Sequence, residues 1–277
     1  MNIKCFDGLE LTDIRELKVG GQKYVYSASS EQWGTVVLKI IKPDQDIQRI
    51  QRELNIAKEC SGFNSPTVHQ DGSLSCDGIE YAFIIESFIE GVCLKDYIAS
   101  ASPIPYEEVV KFLKDISNAI SILEEKRLVH RDIKPDNIIR GINGDYYLLD
   151  FGIARALDQE SITNTSDPYG PHTPCYAPIE QIDNEKDKID SRTDLFSSAV
   201  IAYEMITGNK AFCEPGLNLA QITRKIDMGI YTPLPDIAND THNKINELIH
   251  CCMNKFQSRR PDSAKEAVSW LNEILSQ

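Results

Sequence analysis

The sequence predicts an α+β chain in two parts, a small β-rich lobe with one main helix over residues 1–89 and a larger, mainly helical lobe over 90–277. Three observations carry this. Ile14–Lys18, Tyr24–Ala28 and Thr35–Ile41 are short β-rich runs separated by turn residues, as in a meander. Ile47, Ile50, Leu54 and Ala57 recur at helical spacing across Asp44–Cys60. Beyond residue 100 the apolar stripes are helical, beginning with Val109, Val110, Leu113, Ile116, Ile120 and Leu123.

Taken in order, the meander and its helix are followed by two more strands, Pro66–Asp71 and Glu80–Phe88. The second is nearly continuous in Tyr81-Ala82-Phe83-Ile84-Ile85, which suits a buried strand. Tyr106–Arg127 reads as an amphipathic helix with Glu107 and Glu108 favourably placed in its first turn. Two short runs, Ile138–Arg140 and Tyr146–Leu149, flank a turn containing glycine. From Ile153 to Glu180 the chain is polar and longer than an ordinary connection, the mark of a functional loop. Arg192–Gly208 is a hydrophobic helix stopped by glycine, and helices around Leu217–Asp227, Thr241–Asn254 and Asp262–Leu275 complete the second lobe, with Trp270 and Leu271 as core candidates.

The formal net charge of −13 argues against nucleic acid and anionic membrane as partners, because a phosphate surface would be repelled. No apolar run is long enough to span a bilayer and no leader pattern opens the chain, so a cytoplasmic location is expected. The eight cysteines show neither zinc-ligand spacing nor a disulfide framework and fit a reduced cytosol.

The chemistry concentrates in His130-Arg131-Asp132-Ile133-Lys134-Pro135-Asp136-Asn137. Asp132 is placed to take a proton from an attacking hydroxyl, Lys134 to neutralise a transferring anion, and Asn137 to offer an amide oxygen to a hard cation. Such a loop reads as phosphoryl transfer. Asp150, in Asp150-Phe151-Gly152, is the second metal-ligand candidate, since Mg²⁺ takes few hard oxygen ligands besides those of phosphate. Loop and tripeptide together resemble the signature of eukaryotic-type, or Hanks-type, serine/threonine protein kinases, and the resemblance runs from about Ile14 to Leu275.

That resemblance implies a bilobal kinase fold, ATP and Mg²⁺ as cofactors and a protein substrate with a Ser or Thr acceptor. It makes Lys18–Val25 the glycine-rich phosphate loop, with only the middle glycine, Gly20, retained, Gly21 beside it, and Lys18 and Lys23 at the other two glycine positions. Lys39 becomes the phosphate-binding strand lysine, held by Glu53. Val25, Val37 and Ile139 would sandwich adenine, the backbones of Glu86 and Phe88 would hydrogen-bond it, and Ile85 would take the gatekeeper position behind it. In the loop after Asp150, Thr163 and Thr165 are phosphorylatable, with Arg131 the cation a phosphate there would recruit. Glu180 would pair with Arg260, Asp194 would hold the backbone of the catalytic loop, and Thr173 would bridge Asp132 and Lys134. Ile179 departs from the family proline before Glu180. Control would come from the 153–180 loop or from a separate regulatory protein, and oligomeric state is not encoded in any pattern here. A nucleotide-binding scaffold without transfer and a small-molecule phosphotransferase are the competing readings.

Overall fold

The computed structural model describes residues 6, 8–19, 23–42, 54–62, 64–150, 155–156, 174–235 and 240–276. The chain divides into two compact units, Met1–Glu90 and Gly91–Gln277.

The first unit is a five-stranded antiparallel sheet in the order β1-β2-β3-β5-β4, with β1 Leu11–Val19, β2 Lys23–Ser30, β3 Gly34–Ile41, β4 Val68–Cys76 and β5 Ile79–Ser87. Alternation divides its faces. Val36, Leu38, Ile40, Phe83 and Ile85 are buried with Tyr26, Ala28 and Leu74 in one cluster, which Phe6 and Leu9 also join. Residues 54–59 form a helix, α1, in which Leu54, Ile56 and Ala57 are buried. Asp77 and Gly78 join β4 to β5 with φ of 52° and 78°, the two positive values that a tight primed hairpin turn requires. That turn lengthens β4 beyond the expected Pro66–Asp71. Paired with β5 out to Cys76↔Ile79, the polar stretch Gln70–Ser75 is held in the ladder despite weak intrinsic preference for it.

In the second unit, β6 Gly91–Cys93 leads into α2 Leu94–Ala101, a helix the sequence pattern did not reveal because eight residues carry only two buried positions, Leu94 and Ile98. The spine is α3, Tyr106–Glu125, whose buried stripe includes Val109, Leu113, Ile116, Ile120 and Leu123. After β7 Leu128–Val129 come β8 Ile138–Gly141 and β9 Tyr146–Leu148, paired antiparallel with each other, and β10 Arg155–Ala156, which pairs β7. Helices α4 Ile179–Ile182, α5 Ser191–Thr207, α6 Leu219–Met228, α7 Asp240–Cys252 and α8 Ala264–Leu275 follow. Buried on nearly every side, α5 is started by Asp190, whose side chain accepts from the Arg192 N–H, and stopped by Gly208 at φ 70°. Leu271 is fully buried and Trp270 packs at the edge of the same core.

Polar ties join these helices. Glu124, near the end of α3, accepts from the Ser191 hydroxyl at the start of α5 and from the Ala264 N–H at the start of α8. Glu108 in the first turn of α3 takes both Arg140 Nε and Nη2 of β8, at 2.9 and 3.0 Å, and the Tyr146 hydroxyl at 3.0 Å.

One expectation is corrected outright. Cys175 and Cys213, 38 residues apart, form a disulfide with a Cα–Cα separation of 5.6 Å, and Cys76 is also disulfide-bonded. Proximity in the fold, invisible in sequence spacing, brings the first pair together. Peptide mapping without reductant should recover a linked Cys175–Cys213 pair that reduction abolishes.

The Arg140 bonds hold the Glu108 carboxyl below its ordinary value of 4.5, against the opposing effect of burial. A depressed folded pKa stabilises the protein above the unfolded value, and that stabilisation disappears as pH falls through the folded one. Glu108→Gln should therefore flatten the decline of Tm between about pH 5 and pH 3 relative to the parent, as read by thermal scans across that range.

Candidate functional site

The loop joining β7 to β8 carries the residues expected to do chemistry, and it is built from below by one buried acid. Asp194, in the first turn of α5 and fully buried, accepts the His130 N–H at 2.7 Å on one carboxylate oxygen and the Arg131 N–H at 2.9 Å on the other. Burial pushes its carboxyl up, opposed by the charges of His130 and Arg131 and by these two N–H donors. Arg131 lies at φ 68°, a conformation that costs a residue with a Cβ about 1–2 kcal/mol, and the Asp194 bonds to its own N–H and to that of His130 before it help to hold it there. From α4, Gln181 adds a bond from its amide nitrogen to the Arg131 carbonyl at 2.6 Å. His130 places Nε2 at 3.2 Å from the Leu149 carbonyl, and the Leu149 N–H donates to the Asn137 carbonyl, so the segment reaching Asp150 is tied to the loop twice.

On this base Asp132, Lys134 and Asn137 converge. Lys134 Nζ reaches Asp132 Oδ2 at 2.6 Å, and Asn137 Nδ2 donates to the same oxygen at 2.9 Å and to the Asp132 carbonyl at 3.0 Å. The amide of Asn137 is thereby oriented, because its nitrogen faces two acceptors and its oxygen is left for a cation. Asp150 follows β9 at φ 62°. One amide oxygen and one carboxylate are the hard donors Mg²⁺ uses when phosphate supplies further ligands, so the residues fit that ion. Among the described residues no group of three or more His, Cys, Asp or Glu forms an all-protein metal cage.

Beneath α4, Glu180 and Arg260 form a two-pronged ion pair at 2.6 and 3.2 Å with side-chain exposures of 3% and 0%. Thr193 donates its hydroxyl to Glu180, and the rest of the guanidinium fork is taken by the carbonyls of Arg192, Asn254 and Lys255. Every donor direction of the arginine is thus used, the condition under which a buried ion pair holds. Just ahead of α4, the Tyr176 hydroxyl donates to the mostly buried Glu204 at 2.7 Å; burial raises both pKa values. Ile139 is half-buried on β8, opposite Cys93 and Tyr147.

In the first unit, Val25 opposes Lys39 on the β2–β3 ladder, and Val37 opposes Glu86 on the β3–β5 ladder. Cross-strand partners share a face, so Val25, Val37, Lys39 and Glu86 stand together. Two expectations change here. Ile85 points to the opposite face, inside the sheet core with Leu38, and the side chain on the lysine's face is Glu86, one residue beyond the position that the resemblance gave. The Phe88 N–H donates to the Thr35 carbonyl at 3.3 Å, so one of the two backbone groups that Phe88 could offer to adenine is used within the first unit. Lys23, buried, is the first residue of β2 opposite Ile41 and thus part of the ladder. Gly20, Gly21, Glu53, Thr163, Thr165 and Thr173 lie outside the described residues.

Sequence reasoning passed over Gln181, the Tyr176–Glu204 pair and the Glu86 side chain. Only Glu86 left a signal: an acid two residues after Ile84 at the end of an apolar run shares Ile84's face. The protein kinase domain family matches residues 12–270. A probable serine/threonine-protein kinase of Clostridium perfringens is 30% identical over 92% of this chain and 37% of its own length. Serine/threonine-protein kinase PknB of Mycobacterium leprae is 29% identical over 74% of this chain and 33% of its own. Serine/threonine-protein kinase PknL of Mycobacterium tuberculosis is 35% identical over 61% of this chain and 40% of its own. The chain thus spans well under half the length of these relatives.

Removing the guanidinium by Arg260→Ala should cost about 3–5 kcal/mol, because Glu180 is left charged and buried. Urea unfolding should show a lower midpoint with an unchanged slope.

Proposed function

This chain belongs to the protein kinase domain family, and on that premise we propose that it transfers the γ-phosphoryl group of ATP to a serine or threonine hydroxyl of a protein substrate. The observation that carries the reading is the convergence of Lys134 and Asn137 on one oxygen of Asp132. A carboxylate so fixed accepts a proton from one defined direction, which is what an in-line attack needs.

In the proposed step the substrate hydroxyl oxygen attacks the γ-phosphorus as its proton passes to Asp132. The bond from that phosphorus to the β,γ-bridging oxygen breaks, and ADP leaves. Lys134, beside Asp132, balances charge on the transferring group, while Lys39 balances charge on the remaining phosphates. Asn137 and Asp150 would hold Mg²⁺, which when bound supplies further neutralisation of the phosphate oxygens. Val25 and Val37 offer the purine an apolar sheet face. Little covalent work falls to the protein, so rate comes from positioning and electrostatics.

Arg131 is assigned as the cation that a phosphate on Thr163 or Thr165 recruits, making the 153–180 loop the point of regulation, by autophosphorylation or by a separate protein. A cytoplasmic location, where ATP is the phosphoryl donor, belongs to the same reading. Among the described residues no helix is long and apolar enough to cross a membrane. In a reducing compartment the Cys175–Cys213 pair would stand open.

Asp132→Asn should lower transfer of labelled phosphate to a protein acceptor by about 10²–10⁴-fold while leaving Mg-ATP binding near the parent value. Parental activity in that variant, or label found only on a small-molecule acceptor, would refute the assignment.

A further inference from the structure

The sheet face that carries Val25 and Val37 also carries a buried carboxylate for which no side-chain role has been assigned. Lys39 stands directly opposite Ile84 and Glu86 opposite Val37, so lysine and glutamate are diagonal neighbours on adjacent strands. Diagonal pairs lie within reach of long side chains. Here the reach is used: Lys39 Nζ lies 2.6 Å from Glu86 Oε1, with side-chain exposures of 12% and 8%. The surroundings are apolar, with Ile84 2% exposed on the same face.

Two properties of this contact decide what it does. A lysine ammonium sits on four rotatable carbons and is strongly hydrated, so removing it from water without a partner is costly, and holding it in one place costs side-chain entropy. A short, charge-assisted bond to a strand residue offsets both costs. The ammonium also has three N–H donors; among the described residues Glu86 takes one, which leaves donors for phosphate oxygens. Anchor and lysine belong to the same rigid ladder, so the anchor does not depend on the placement of any helix.

We propose that Glu86 is a positioning residue for nucleotide binding: its carboxylate holds the Lys39 ammonium on the Val25–Val37 face, from which that ammonium engages the phosphates. Glu86 does not itself touch phosphate; it acts through Lys39. The inference rests on the phosphate role proposed above for Lys39. It predicts a use for an acidic side chain at this strand position that backbone recognition of adenine would not require.

A double-mutant cycle tests it, with Mg-ATP affinity measured by calorimetric titration and steady-state transfer measured in parallel. Glu86→Gln should weaken Mg-ATP binding and raise KM for ATP by about tenfold with a smaller change in kcat, as expected when one member of a buried charge pair is removed. Glu86→Asp, which keeps the charge one methylene further back, should lie between that variant and the parent. In a Lys39→Met background Glu86→Gln should change affinity less than about twofold, because the partner it acts through is gone.

An unchanged or tighter affinity in Glu86→Gln overturns the proposal, and so does an equal loss in both backgrounds, which marks a merely structural role. The double variant leaves neither member of the pair as an unpaired buried charge. If the single variant fails to fold, Glu86→Asp measured in both backgrounds decides by the same criterion. Lys39→Met without effect on Mg-ATP binding refutes the phosphate role and this inference together. A damaging Lys39→Met beside a silent Glu86→Gln refutes the positioning role alone.

Discussion

The two hydrogen bonds from the backbone of His130 and Arg131 to Asp194 are the constraint on which the second unit's chemistry depends. They fasten the His130–Asn137 loop to α5, a helix buried on nearly every side, so the loop inherits the rigidity of the core. A carboxylate can be kept fully buried only if its oxygens are satisfied, and these N–H groups satisfy one oxygen each. The dependence runs both ways: the loop needs the acid for its shape, and the acid needs the loop to remain inside. Gln181 and the Glu180–Arg260 pair extend the arrangement into α4, joining the end of the 153–180 segment to the same helix.

Much of this was legible in the order of residues. The stripe of α3, the glycine stop of α5 and the run from His130 to Asn137 each carry a local physical reason for their structure, so each is visible in a window of ten or twenty residues. The Glu180–Arg260 pair spans 80 residues and was reached by resemblance alone; no local pattern marks Arg260 as buried. α2 and the far half of β4 were not legible, since both owe their conformation to neighbours: α2 packs two apolar side chains, and β4 follows β5 through the Asp77-Gly78 turn. The disulfide illustrates the same limit. Cys175 precedes α4 and Cys213 follows α5, and only the packing of the second unit places them side by side.

The β5 strand shows how a correct element can still yield a wrong site. Its extent was anticipated to within one residue at each end, yet Ile85, given the gatekeeper position by resemblance, lies in the sheet core, and the side chain beside Lys39 is that of Glu86. A strand has a period of two, so an error of one residue turns every side chain to the other face. Nothing within the run Phe83-Ile84-Ile85 breaks the tie, because both faces of β5 are apolar there. Pairing with β3 breaks it: Leu38 opposite Ile85 belongs to the core, and Val37 opposite Glu86 does not.

Backbone strain separates the His130–Asn137 loop from the other irregularities among the described residues. Among the described residues, Glu10, Asp13, Asn64, Asp77, Arg127, Arg131, Asp150 and Asn184 have positive φ without being glycine. Asn and Asp adopt this region at low cost, which accounts for Asp13, Asn64, Asp77, Asp150 and Asn184. Arg127 closes α3 as the residue after its cap and Glu10 precedes β1, both exposed positions where the chain changes direction. Arg131 fits neither explanation: it is long, 8% exposed, and set between two residues whose positions matter, His130 and Asp132. Its conformation survives because Asp194 and Gln181 bind its own N–H and carbonyl, and without those bonds the ordinary right-handed or extended geometry would re-aim Asp132 away from Lys134 and Asn137. The strain at Arg131 and the aim of Asp132 are therefore two consequences of the same buried carboxylate.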